Sequence, residues 1–248
     1  SKLLTKPFTI IKNIVACLEL HIEQGKVLEQ KKIEIGIVRS IPSISRFSVV
    51  VNGQAGHSGT ILMDQRADAL VTSSEIIAFV NKIALRLSKE SNQHFVSTIG
   101  KINVHPNAAA IIPGKVEMTI DLRASSKSSR EQYITELEKQ INKMNQSGPC
   151  KIEMEKIAFA PYVEMDKELV KLFKESSDDY GFSNIIMDSG AGHDTAHLSR
   201  VAPASMIFVP CKDGLSHCPE EYAEISDISK GTAVLFKMVE KLASSNQN

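Results

Sequence analysis

The chain has 248 residues, 42% hydrophobic and 23% charged, with 29 basic and 29 acidic residues and a net charge of +0. That is a soluble globular composition, long enough for one large domain or two small ones. The balanced charge removes any global electrostatic case for nucleic acid or an anionic membrane as partner. Cys17, Cys150, Cys211 and Cys218 show no CxxC spacing and read as reduced thiols. No signal peptide and no apolar run long enough to span a bilayer is found, so the expected compartment is the cytoplasm.

In chain order, residues 1–16 are basic and then apolar, and read as a short helix feeding the first strand. Residues 18–25 (LELHIEQG) alternate with period two and predict a strand ended by Gly25. Glu19, His21 and Glu23 then share one face, and Leu18, Leu20 and Ile22 take the other. A row of Glu, His and Glu is either a solvated edge or a polar site. Residues 27–34 suit a turn or short helix, and 36–41 another strand.

A self-contained pattern follows. Residues 47–51 are strand-like, and 65–87 carry a helical stripe through Leu70, Ile76, Ile77, Val80, Ile83, Ala84 and Leu87. Residues 95–104 and 115–123 alternate as strands around the Pro113-Gly114 turn signal. Ser128, with Glu131 three residues on, predicts a capped helix through Ile134, Leu137, Ile141 and Met144. Residues 151–159 form a last strand. The order β-α-β-β-α-β is the ferredoxin-like arrangement of two helices on one face of an antiparallel sheet, placed at residues 40–157.

The remainder changes style. Asp166 caps a helix through Ser176, residues 184–187 form a short strand, and 188–194 (DSGAGHD) a small-residue loop. Residues 204–210 are nearly all apolar, as a buried central strand requires. Residues 225–243 form a closing amphipathic helix, and 244–248 a polar tail expected to be disordered. The outer pieces, 1–39 and 158–248, would form one α/β body interrupted by the inserted unit.

Three loops at strand ends combine Gly and His: 56–59 (GHSG), 192–194 (GHD) and 216–219 (SHCP). Glycine lets a backbone approach a ligand closely, and ligands of open α/β sheets bind beyond strand carboxyl ends, which His193 and His217 follow. Each histidine alone reads as an ordinary loop residue; their grouping with His21 favours a site. Arg123, read in a strand at the edge of the inserted unit, suits a bidentate carboxylate or a pairing with Asp121. Cys218 beside His217 makes a poor nucleophile–base pair, because adjacent strand residues face opposite ways.

Together these segments, ELHIEQG, GHSG, Asp121-Leu122-Arg123, SGAGHD and SHCP, resemble in order and spacing the amidase/hydantoinase-carbamoylase branch of the M20 metallopeptidase family. That branch contains N-carbamoyl-L-amino-acid hydrolases, allantoate amidohydrolases and β-ureidopropionases. The resemblance implies an α/β catalytic domain with two zinc or manganese ions, carrying an inserted α+β lid through which two subunits dimerise. It implies metal ligation by His21 and His217 and a grip on the ureido group by Gln24. His57 would polarise the scissile carbonyl from the lid. Arg123 would hold a substrate carboxylate, and Gly192 and His193 would close over it. The implied reaction is metal-dependent hydrolysis of a linear C–N bond in a small ureido acid.

Two departures accompany the resemblance. The family's other metal ligands (a His, a bridging Asp and a Glu) and its catalytic Glu lie upstream of the strand holding His21, and nothing here matches them. The chain is therefore expected to correspond to the C-terminal portion of such an enzyme. Ala110 stands where the family usually has a substrate-binding Asn. Two alternatives stay open: a non-catalytic dimerisation or binding remnant, and an M20 aminoacylase or peptidase.

Overall fold

The computed structural model describes residues 14–245. The helix expected over 1–16 falls mostly outside them, and the three described residues before the first strand have no regular structure. The first elements are β1 (Cys17–Ile22), α1 (Val27–Lys31), β2 (Ile35–Ile41), β3 (Ser43–Asn52), β4 (Gly56–His57) and α2 (Ala69–Glu90). Then come β5 (Phe95–His105), β6 (Ile111–Ile112), β7 (Lys115–Ala124), α3 (Lys127–Ser147) and β8 (Lys151–Ala160). The last are β9 (Val163–Glu164), α4 (Lys167–Asp179), β10 (Asn184–Asp188), α5 (Thr195–Leu198), β11 (Ala204–Val209) and α6 (Ile225–Ser245). Helix α6 thus runs into the tail expected to be disordered, and residues 246–248 lie outside the described part. The chain divides into two compact units, 1–41 with 163–248, and 42–162.

The first unit is a mixed sheet in the order β1-β11-β2-β10, with β9 pairing β2. β1 runs parallel to β11, and β2 runs antiparallel to β11 but parallel to β10. One face buries Ile35, Ile37, Ile207 and Val209 against Leu169 and Phe173 of α4 and Val234 and Met238 of α6. Leu18, Leu20 and Ile22 of β1 join this face. The opposite face buries Val38, Met206 and Phe208 with Leu28 of α1. Position 36 must be glycine here, because a Cβ would lie 2.8 Å from the Met187 sulfur and 3.2 Å from Leu28 and Phe208. A side chain would push α1 off the sheet.

The second unit is a four-stranded antiparallel sheet in the order β5-β7-β3-β8, reached by the connectivity β-α-β-β-α-β. Alternate residues of β3 (Phe47, Val49, Val51) and β7 (Val116, Met118, Ile120, Leu122) point inward, as the strand period demands. They meet Ile76, Val80 and Ile83 of α2 and Tyr133, Leu137 and Ile141 of α3. Asp68 caps α2 by accepting from the Leu70 and Val71 amides.

Two expectations change. The cap of α3 is Ser126, whose Oγ accepts from the Ser129 amide, and not Ser128. β7 lies between β5 and β3, so Arg123 sits in an interior strand and not at the edge. Strand order is set by the long crossings through α2 and α3, which no local pattern encodes.

Candidate functional site

The polar row of β1 splits into different roles. Glu23 is nearly buried and accepts from the backbone amides of Val27 and Leu28, each at 2.8 Å. It neutralises the free donors at the start of α1 and is a structural cap. The same carboxylate fixes Gly25: a Cβ there would lie 2.7 Å from Glu23 Oε1.

Glu19 and His21 turn to the loop before α5. Glu19 accepts from the Thr195 amide at 2.9 Å and from the Thr195 hydroxyl. Its other oxygen lies 3.8 Å from Nδ1 of His193. The rings of His21 and His193 meet edge to face with centroids 4.7 Å apart. Phe208, paired with His21 across the β1–β11 ladder, packs against both rings. Nδ1 of His21 donates to the carbonyl of Ile22 at 2.8 Å.

His193 is buried, and its Nε2 lies 2.8 Å from Ser189 Oγ. That hydroxyl also accepts from the Ala191 amide and lies 3.0 Å from the Ala191 carbonyl. Burial first, and then the neighbouring His21, push the His193 pKa down to about 4 against the opposing pull of Glu19. The imidazole is neutral at pH 7.

β1 and β11 run parallel, and Gln24 and His217 follow their carboxyl ends, whereas β10 runs antiparallel to β11 and its carboxyl end points the other way. The chain after β10 returns along the sheet to α5, which brings Ser189, His193 and Thr195 to β1. Ser189 and Thr195 escaped the sequence reading, although Ser189 lies within the SGAGHD segment.

Gln24 and His217 form a second pair. Gln24 Nε2 lies 3.5 Å from His217 Nε2, and the His217 amide donates to Glu221 at 3.0 Å. Both residues hold left-handed backbone, φ 56° and 59°, which non-glycine residues adopt at a cost. Gly192 is exposed beside His193. A cavity of about 540 Å³, framed by Leu28, Lys32, Pro210, Cys211, Tyr222 and Asp227, contains none of these groups.

His57 and Arg123 belong to the second unit. Gly56 and His57 pair with Ile112 and Ile111, a two-residue ladder too short to show periodicity. His57 Nδ1 accepts from the Gly59 amide at 3.0 Å, which leaves Nε2 as the protonated nitrogen on an exposed ring. Arg123 donates from Nε to Asp121 at 2.9 Å, and Arg46 donates to the other oxygen, also at 2.9 Å. Burial alone would raise the Asp121 pKa; the two guanidinium hydrogen bonds outweigh it and hold the carboxyl below its usual value.

Among the described residues, Glu19, His21 and His193 are the group arranged to hold a metal, with one ligand atom from each inside 4.8 Å of the others. Two imidazoles and a carboxylate suit a zinc-class divalent ion. The set fits one ion, with coordination positions left open.

The chain is 37% identical over 223 residues to the N-carbamoyl-L-amino-acid amidohydrolase of Pseudomonas sp. (strain NS671), covering 90% of this chain and 53% of that protein. It is 39% identical over 232 residues to the allantoate amidohydrolase of Bacillus subtilis (strain 168), covering 93% and 55%. The crystal structure of a hydantoinase/carbamoylase family amidase from Burkholderia multivorans superposes with a TM-score of 0.86 at 33% identity, covering 93% of this chain and 55% of that one. The chain thus has the mixed α/β fold of those amidases and spans about half the length of the curated relatives it matches. Residues 2–241 match the model of peptidase family M20/M25/M40, and the chain belongs to that family.

Proposed function

We propose that this chain is part of a divalent-metal amidohydrolase that cleaves a linear amide or ureido C–N bond of an N-carbamoyl amino acid, allantoate or a similar ureido acid. The observation that carries the reading is the pair of hydrogen-bonded imidazoles, His21 and His193, that meet edge to face on one side of the sheet. A divalent ion, zinc or manganese, supplies Lewis acidity and a nucleophilic water when bound. His21 and His217 act as metal ligands in this reading. Gln24 holds the ureido group, and Gly192 and His193 close over the substrate carboxylate.

In the second unit, His57 presents Nε2–H and can donate it to a carbonyl oxygen as negative charge develops there. Arg123 grips the carboxylate, its guanidinium already oriented by Asp121. The ferredoxin-like unit serves as lid and as homodimer contact: β5 is an edge strand, with Val96 and Ile102 exposed along it. The remaining metal ligands and the proton-shuttling glutamate have no counterpart in these 248 residues. The activity is therefore proposed for this chain together with polypeptide that supplies them.

The test is ammonia release from N-carbamoyl-L-amino acids and allantoate, after loading with zinc or manganese and supplying the complementary part of a relative. Turnover lost in Arg123→Ala and His57→Ala supports the reading. Turnover indifferent to both overturns the roles. A second reading, a non-catalytic binding or dimerisation module, draws on Ala110, which offers no side-chain donor or acceptor. Substrate binding with no hydrolysis, even with the complementary part present, selects it.

A further inference from the structure

We propose that Glu19 and Thr195 form a latch that holds the 188–194 loop against β1, with Ser189 as the hub inside the loop, and that these three are positioning residues for a ligand carboxylate. The proposal rests on the carboxylate role given above to Gly192 and His193, and it adds residues to which that reading gives no part.

The first argument is anchoring. Residues 188–194 read DSGAGHD, a small-residue sequence whose glycines leave the backbone free to move. Here the loop is tied at three places. At its start, Arg39 donates from Nε and Nη2 to the two oxygens of Asp188 at 2.7 and 3.2 Å, and Ser40 Oγ donates to the same carboxylate at 2.7 Å. The Ser189 amide donates to the Ser40 carbonyl at 2.8 Å. At its centre, Ser189 Oγ accepts from the Ala191 amide at 3.0 Å and lies 2.8 Å from Nε2 of His193. At its end, Glu19 accepts from the amide and the hydroxyl of Thr195, and its other oxygen lies 3.8 Å from Nδ1 of His193. One carboxylate of β1 thus spans the segment from His193 to Thr195.

The second argument is orientation. Positions 189, 193 and 195 are buried, and positions 190, 192 and 194 between them are exposed. The loop turns its bonding side chains inward and its glycine backbone outward. Among the described residues the Gly192 amide has no hydrogen-bond partner. An exposed backbone N–H on an anchored loop is a donor that a carboxylate can use, in a charge-assisted bond. Holding that donor in place before the ligand arrives removes the ordering cost from binding.

The experiment has two arms, with circular dichroism confirming that each variant is folded. In the chain itself, amide hydrogen exchange is followed across 190–195. Thr195→Val keeps the branched shape and the amide but removes the hydroxyl, and should speed exchange there by about tenfold, the worth of one hydrogen bond, with α6 unchanged. Ser189→Ala should act in the same direction, and Thr195→Ser should restore the wild-type rate. Unchanged exchange in Thr195→Val overturns the latch. In the enzyme completed with the complementary part of a relative, Thr195→Val should raise KM for an N-carbamoyl amino acid by about tenfold with kcat within about twofold, and Thr195→Ser should again restore it. KM for the matching carboxamide should not move. An equal rise for acid and carboxamide, or a loss of kcat with KM unmoved, overturns the positioning role. A completed wild type that binds the acid but turns nothing over defeats the hydrolase reading alone; the same tenfold is then expected in the calorimetric Kd for the acid, and its absence overturns the proposal.

Discussion

The two units treat their polar groups in opposite ways. In the 42–162 unit the sheet alternates cleanly: β7 buries every second residue, Arg123 and Arg46 pair with Asp121 on its outer face, and Arg86 of α2 pairs with Glu136 of α3. In the other unit the outer strand β1 carries polar side chains onto a sheet face, where Glu19, His193, Ser189 and Thr195 satisfy one another. Buried polar groups are costly unless paired. A region that keeps three of them, Ser189, His193 and Thr195, against the half-buried Glu19 is built around something other than stability. The contrast locates chemistry without reference to any relative.

The sharpest way to break the contrast is one deep truncation in each unit. Phe208→Ala and Leu122→Ala both remove fully buried side chains. We expect losses of about 3–5 kcal/mol for the first and 2–5 kcal/mol for the second, read by urea denaturation. Only Phe208→Ala should also weaken zinc binding through His21, whose ring it packs against, because Leu122 belongs to the other unit's core. Equal effects on the metal from both would erase the distinction.

Next in size is a pH effect confined to the first unit. The folded-state pKa of His193 is pushed down to about 4, below the unfolded value near 6.5. The unfolded chain therefore binds the proton more readily, so this group's contribution is intact above pH 6.5 and is lost as pH falls from there towards 4. In metal-free protein the loss should reach up to about 3 kcal/mol between pH 7 and pH 4. His193→Gln should flatten that part of the profile. A wild-type and variant difference that does not change over this range would show that His193 is protonated in the fold.

Much of this organisation was legible in the chain. Helices α2, α4 and α6 announced themselves by apolar spacing and, for α4, by the Asp166 cap that accepts from Leu169. The pairing of His21 with His193 was only half legible. Both residues stood out, but the return of the chain over the sheet depends on β10 running against β11, which is a property of topology. β4, β6, β9 and α5 are two to four residues long, too short for a period to register. Glu23 belonged by strand logic to the same polar row, yet it serves the helix that begins four residues later. Strand β3 begins at Ser43, earlier than its β-branched residues suggest, because Ser43 and Ser45 are buried and Ser43 satisfies its hydroxyl on the Ala124 carbonyl. The interior position of Arg123 was invisible for the reason that hid the loop return: strand order is not written locally.

A smaller effect tests the cap that the spacing misplaced. Ser126→Ala removes the acceptor for the Ser129 amide and should cost about 1 kcal/mol, whereas Ser128→Ala should stay within a few tenths. The reverse order, by thermal denaturation, would restore the capping box at Ser128 and Glu131.

The smallest effect concerns the charges that distinguish the second unit. Asp121 holds two guanidinium groups, but the Arg46 side chain is 49% exposed and that of Arg123 30%. Water screens such pairs, so Asp121→Asn should cost no more than about 1 kcal/mol. Its folded pKa is lowered, so the contribution is present above the unfolded carboxyl value near 4 and disappears as pH falls through the lower folded value. The substitution should therefore matter at pH 6 and lose its effect as pH falls through the folded Asp121 value, below the range in which His193 titrates. If Asp121→Asn instead cost several kcal/mol at pH 6, the Arg46–Asp121–Arg123 group would be a structural element of the sheet. Arg123 would then be held for the fold and not kept oriented for a carboxylate, and the division between a structural unit and a chemical one would have to be drawn elsewhere.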